Sequence, residues 1–239
     1  RRHESNVDEE LPPFDRASLF EQAEGALGDL EGQLTSITIH RTDELPHDWR
    51  IAHPLMSVHV VNGYTGHHLV KSNPSRPATT ANESRTSRDS ATAQPLPYLL
   101  PVMTKPFKLR GEVARLPAWE EDILIAEDFT YLLHPGVFIL LELLDFAPAA
   151  SVHADQPFIP FAWAFLKPVS GPIGRPGHAN ALRPMPLRLQ LHRWQKSVRP
   201  VAGQPAVWAQ YLAAGRQPYS STAYITVRPQ PRPSELPVQ

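Results

Sequence analysis

The sequence predicts an all-β fold, an antiparallel β-sandwich of about eight strands with one or two short peripheral helices, on three observations. Apolar residues alternate with polar ones at a period of two in most apolar segments, as strands with one face on a core and one in water require. Turn residues separate those segments at nearly every boundary. The 239 residues include 27 prolines, about twice the usual share, and an interior proline removes a helical hydrogen bond and clashes with the preceding turn. With 41% apolar and 20% charged residues the chain has enough material for a core.

Three regions follow from composition. Residues 1–33 form an acidic N-terminal arm: residues 1–31 hold 9 acidic and 3 basic side chains, which leaves the rest of the chain net positive. Leu19, Phe20, Ala23, Leu27 and Leu30 fall near one face of a helix over 16–30, weakened by Gly25 and Gly28. A solvated arm covering a sheet edge suits this segment better than a docking helix for a partner. Residues 34–228 carry the strands, with a loop at 72–94 too poor in large apolar residues to pack. Residues 229–239 are a Pro-rich tail. The chain starts at Arg1 without a methionine, as a piece of a longer protein would.

The strands are read in order. Over 34–41, Thr35, Ile37 and Ile39 alternate with Ser36, Thr38 and His40. Over 55–61, Met56, Val58 and Val60 share one side, and Asn62-Gly63 with Thr65-Gly66 supply the turn positions of a hairpin corner. Residues 98–103 are extended, and over 119–126 Trp119, Ile123 and Ile125 share one parity. Residues 137–146 are apolar on both parities, which fits a strand covered on both sides or a buried helix; β-branched and aromatic content after Pro135-Gly136 favours the strand. Over 161–167, Phe161, Trp163 and Phe165 lie on one face and Ala162 and Ala164 on the other, a pattern expected to fill the space between two sheets with aromatics. Residues 168–186 break the chain with repeated Pro and Gly. Leu187, Leu189 and Leu191 then point inward, with Arg188, Gln190 and His192 outward. A short helix over 205–214, stopped by Gly215, and a last strand over 222–227 complete the set.

Composition excludes several chemistries. There is no cysteine, which removes disulfides, thiolate nucleophiles and cysteine metal sites and fits a reducing compartment. Twenty-three basic against 24 acidic residues leave no electrostatic footprint for nucleic acid. The apolar run 137–144 contains Glu142 and is far shorter than the roughly 20 residues that cross a bilayer. No phosphate loop, nucleophile elbow or zincin motif occurs, and no cofactor is expected. Glu120, Glu121 and Asp122, with Glu127 and Asp128, read as a solvated face rather than an acid/base pair. Among the 11 histidines, His67 and His68 sit in a turn while His40, His59 and His192 occupy strands, with no metal-ligand spacing. Calcium needs several converging carboxylates, and Asp145 and Asp155 are too sparse. Basic residues gather at Arg175, Arg183, Arg188, Arg193, Lys196 and Arg199. A face of Arg188, His192, Arg193 and Lys196 is the candidate for an anionic membrane surface or an acidic partner, against a plain solvated face. Trp119, Phe161, Trp163 and Phe165 are the candidate core aromatics.

The strings HPLMSVHVVNGYTGHHLVK (53–71), YLLPVMTKPF (98–107), LPAWEED (116–122), VFILLELLDF (137–146), FAWAFLK (161–167), LRLQL (187–191) and STAYITV (221–227) occur in that order. Together they resemble the domain that precedes the WD40 propeller in the jouberin family. The resemblance spans roughly residues 34–228. It implies a C2-like sandwich in a non-enzymatic scaffold of the ciliary transition zone and basal body, cytoplasmic and cytoskeleton-associated, linked to ciliogenesis and to nephrocystin-like partners, with no catalytic residue to carry over. This chain departs from the pattern at His192, where the family has an aromatic, and at Ser220, where it has proline. The family's coiled-coil, propeller and SH3 parts lie outside this sequence. Two functions are expected in consequence: an adaptor that holds proteins by exposed strand edges and the acidic arm, or a calcium-independent phosphoinositide-binding module acting through the basic strand.

Overall fold

The computed structural model describes residues 30, 32–48, 50–73, 96–109, 115–147, 157–168 and 184–232. The expected helix over 16–30 lies outside these residues except at Leu30, as do most of the 72–94 loop, Arg175, Arg183 and most of the tail.

Eight strands form in the segments read as extended: β1 (Leu34–Thr42), β2 (Leu55–Asn62), β3 (Val102–Met103), β4 (Ala118–Asp128), β5 (Val137–Phe146), β6 (Phe158–Leu166), β7 (Met185–Arg193) and β8 (Pro218–Gln230). Two short helices accompany them, α1 (Phe129–Leu132) and α2 (Ala206–Leu212). All pairings between named strands are antiparallel, in the order β3-β2-β5-β6-β7-β8-β1-β4. The apolar segment 137–146 is thus a strand between β2 and β6.

This run of strands closes into two layers at the short β6–β7 joint. Between β6 and β7 only Ala162 pairs with Arg193 and Trp163 with His192. One four-stranded half, β3-β2-β5-β6, contributes Met56, Val58, Ile139 and Leu141 to the main core, and the other half, β7-β8-β1-β4, contributes Leu191, Ile225, Ile37, Ile39 and Ile123. Burial of those facing surfaces, at about 25 cal/mol per Å² of apolar area, is the principal force holding the layers together. Trp119 Nε1–H donates to the Pro54 carbonyl (3.3 Å), and the Lys105 amide donates to Glu121 Oε1 (2.8 Å). Both bonds tie β4 to the opposite layer.

The aromatic strand faces the other way from the expectation. Ala162 and Ala164 lie in the main core between the layers, whereas Trp163 sits in a second cluster with Val61, Leu140, Val207 and Trp208 on the outward side of the first layer, beneath α2. Phe165 packs against that second cluster. Phe161 and Trp119 pack against the main core. Phe161 changes sides because β6 slips register opposite Leu143 and Leu144, where the partners jump from Ala162 to Pro160. Proline has no N–H for the ladder and is accommodated at such a bulge.

Candidate functional site

Three groups of side chains carry chemistry. The first lies on the outward side of the first layer. Ser57 and His59 share a parity on β2, and Glu142 on β5 is the direct cross-strand partner of Ser57. His59 Nε2 lies 3.1 Å from Ser57 Oγ and 3.2 Å from Glu142 Oε2, and His59 Nδ1 lies 3.3 Å from His68 Nε2. The His59 and His68 rings are within 11° of parallel with centroids 5.6 Å apart. The N···N distance plus the two ring radii accounts for that separation, so the rings meet edge to edge in one plane rather than face to face. A proton must bridge them. The network closes when His68 Nε2–H donates to His59 Nδ1 and His59 Nε2–H donates to the Glu142 carboxylate.

No spacing in the sequence pairs two imidazoles with a carboxylate, and the fold joins His68, His59 and Glu142 in one chain of contacts. The β2–β5 pairing and the 62–68 turn, which returns His68 opposite Val61, bring together residues 83 positions apart. The signal available in advance was the shared parity of Ser57 and His59 and the lone acid inside an apolar run. A Ser-His-acid machine puts hydroxyl and carboxylate on opposite ring nitrogens; here both contact the same one. Burial, with the nearby imidazoles of His59 and His67, pushes the His68 pKa down to about 4. The arrangement is a polar brace that fastens the 66–70 segment to β2. Among the described residues no group of three or more His, Asp or Glu is arranged to hold a metal ion. Asp145 is buried, with its Oδ2 accepting the amides of Ala52 (2.7 Å) and His53 (2.8 Å) and its Oδ1 that of Phe146 (2.7 Å).

The second group is the basic strand, which the structure divides. Arg188 lies over the Tyr224 ring, 5.3 Å from its centroid, with Arg41 over the same ring at 4.1 Å. Arg193 lies over Tyr219 at 5.8 Å. Tyr219 and Ala223 belong to the main core and Tyr224 has the opposite parity, so Arg188 and Arg193 occupy opposite faces of the second layer. Lys196 is exposed in the turn after β7. His192 packs against Trp163 (centroids 4.8 Å, rings tilted by 38°) with its Nδ1 buried, and burial, then the charge of Arg216, lowers its pKa. It adds no positive charge to a shared face. The acidic cluster is likewise divided: Asp122 bonds Thr38 and Arg228 (3.0 Å to the latter) and Glu120 bonds His40 at 2.7 Å, whereas Glu127 and Asp128 are buried rather than on a solvated face, Glu127 accepting the Ser72 amide at 2.7 Å.

The third group is an apolar strip along the β2 edge of the first layer. Val61 faces the outward cluster and opposes His68; two residues on, Val70 opposes Tyr98. Leu69 and Leu99 lie in the main core, so Val70 and Tyr98 point outward. Met103, opposite Ser57, joins them on that side. Val70, Tyr98 and Met103 are 50%, 43% and 42% exposed.

Fold and side-chain groups together define an all-β sandwich whose buried polar residues brace its own chain and whose distinctive surface features are aromatic and apolar. No protein-family model matches the sequence. The chain is homologous to a segment of jouberin, being 34% identical over 204 residues to jouberin of Rattus norvegicus and of Mus musculus, across 80% of this chain. It spans 18% of the length of these curated relatives. Among solved structures it is similar to a C2 domain of plant extended synaptotagmin 1, with a TM-score of 0.41 and 9% identity over 85% of this chain and 98% of that domain.

Proposed function

We propose that this chain is a C2-like protein-interaction module, a non-enzymatic adaptor that serves a ciliary transition-zone or basal-body assembly. The observation that carries the reading is the strip of Met103, Tyr98 and Val70. Three large apolar side chains remain in water along a layer edge whose strand β3 is only two residues long. Large apolar side chains exposed on one side of a layer edge suit contact with another macromolecule. Homology to a short part of a much longer protein supports a modular role, and the ciliary setting rests on that homology.

The lipid-binding alternative requires cations on one face, and Arg188 and Arg193 lie on two. Proximity labelling in ciliated cells tests the adaptor reading: the wild-type chain labels transition-zone proteins, and Tyr98→Glu with Met103→Glu loses them while keeping its fold. Strong flotation with anionic liposomes, abolished by charge reversal at Arg188, Arg193 and Lys196, would replace this reading with the lipid one.

A further inference from the structure

The outward aromatic cluster holds a cation of the chain's own. Arg216 follows Gly215, whose φ is +71°, and its guanidinium carbon lies 4.6 Å from the Tyr211 ring centroid, 5.2 Å from Phe165 and 5.9 Å from Trp163. Phe165 and Tyr211 stand at 72° with centroids 4.9 Å apart, forming two walls of a corner. His192 lies within 15° of parallel to Phe165 at 6.3 Å and packs on Trp163. The Arg216 Nε–H and Nη2–H both donate to the Tyr211 carbonyl, at 3.1 Å and 2.6 Å. Arg216 itself is exposed, so the rings are covered by a side chain that solvent, or another molecule, can replace.

We propose that the ring cluster of Trp163, Phe165, Tyr211 and His192 is a binding site for an arginine side chain presented by a partner protein, with Arg216 as its resident stand-in. Aromatic faces attract cations through their quadrupoles, and three faces around one guanidinium are the usual composition of a cation cage. One further atom distinguishes a cation that carries N–H groups from a quaternary ammonium. His192 Nδ1 is buried without a hydrogen-bond partner among the described residues. Burial and the neighbouring Arg216 charge disfavour its protonation, which leaves a neutral imidazole; with the proton on Nε2, Nδ1 is an acceptor. The edge of a planar guanidinium carries N–H groups that such a nitrogen can accept, whereas a quaternary ammonium has none to give; Arg216 leaves the acceptor unused because its own Nε–H and Nη2–H go to the Tyr211 carbonyl.

Arg216 competes from within the chain, so it lowers the apparent affinity by the fraction of time the cage is free. A partner arginine must displace it, and the exchange also releases the Tyr211 carbonyl at the end of α2. The inference rests on the adaptor reading and adds to it the chemistry of one partner residue.

The test is titration of the full chain with Nα-acetyl-arginine amide, with tetramethylammonium as the comparison cation, read by NMR shifts of the cage rings. Removing the stand-in in Arg216→Ala tightens arginine-amide binding by about tenfold or more. Adding His192→Phe, which keeps a ring and removes the acceptor, abolishes the preference for arginine amide over tetramethylammonium. Should Arg216→Ala fail to fold, Arg216→Gln retains an amide able to reach the Tyr211 carbonyl and takes its place. A folded variant that binds neither cation more tightly than wild type overturns the proposal. Because the probe is a free amino-acid derivative, that failure leaves partner labelling through Tyr98 and Met103 untouched, and loss of labelling leaves the titration unaffected.

Discussion

The indole of Trp163 and the imidazole of His192 pack with their centroids 4.8 Å apart across the two-residue ladder that joins the layers. The pair lies on the outward side of the first layer, so the short backbone joint between the two layers is reinforced by side chains from outside rather than from the core. Trp163 is 1% exposed there, while small Ala162 and Ala164 let the layers approach on the inner side.

Two substitutions separate the sides. Trp163→Ala removes the centre of the outward cluster and should cost about 3–5 kcal/mol, the usual penalty for deleting a buried aromatic. Ala164→Leu overfills the space between layers and should cost about 1–3 kcal/mol. Urea denaturation measures both. A neutral Ala164→Leu would mean that the inner side has room for the aromatics after all.

Stability should fall in mild acid. An ordinary histidine titrates near 6.5, and His68 in the folded chain near 4; His134 and His192 are lowered too, chiefly by burial. Between those values the unfolded chain binds protons that the folded chain refuses, so stability declines as pH drops through that window and is fully present above it. His68→Gln should flatten the decline in urea midpoint between pH 6.5 and about 4. An unchanged slope in that variant would remove His68 from the account.

Asp145 should act as a clamp on the segment before β2. Asp145→Ala removes the buried carboxylate that the part-buried amides of Ala52 and His53 share and should cost about 1–3 kcal/mol, with Asp145→Asn milder because one carbonyl oxygen can still receive both. Thermal melts with and without calcium complete the test. Calcium should leave Tm unchanged, since ion binding to the folded state alone would raise it.

Gly66 should resist substitution. Its φ of +73° favours glycine, and a Cβ there would lie 2.0 Å from Trp208 Nε1. Gly66→Ala should therefore cost more than about 1 kcal/mol and shift tryptophan fluorescence by displacing Trp208, while an unperturbed spectrum would show the turn yielding instead of α2.

Much of this was readable in the alternation itself. Met56, Val58 and Val60 share a side because successive strand side chains point oppositely, and the turn residues at 62–66 bring His68 back against Val61 through local chemistry. Period two assigns residues to two faces without saying which is inside. For 161–167 that choice depended on α2, more than forty residues onward, which covers the outward side with Val207 and Trp208 and gives Trp163 somewhere dry to go. The bulge opposite Leu143 and Leu144 then moved Phe161 to the other side, a register effect no single strand reveals.

The sequence by itself determined the strand content, the hairpin corner and the absence of thiol chemistry, since these follow from residue type and near-neighbour geometry. Only the tertiary structure decided that Glu142 meets His59 and His59 meets His68, that Arg188 and Arg193 part company, and that Arg216 covers a set of rings. Each of these depends on which strands lie side by side, and pairing between distant segments is set by the balance of burial over the whole fold rather than by any local stretch of chain.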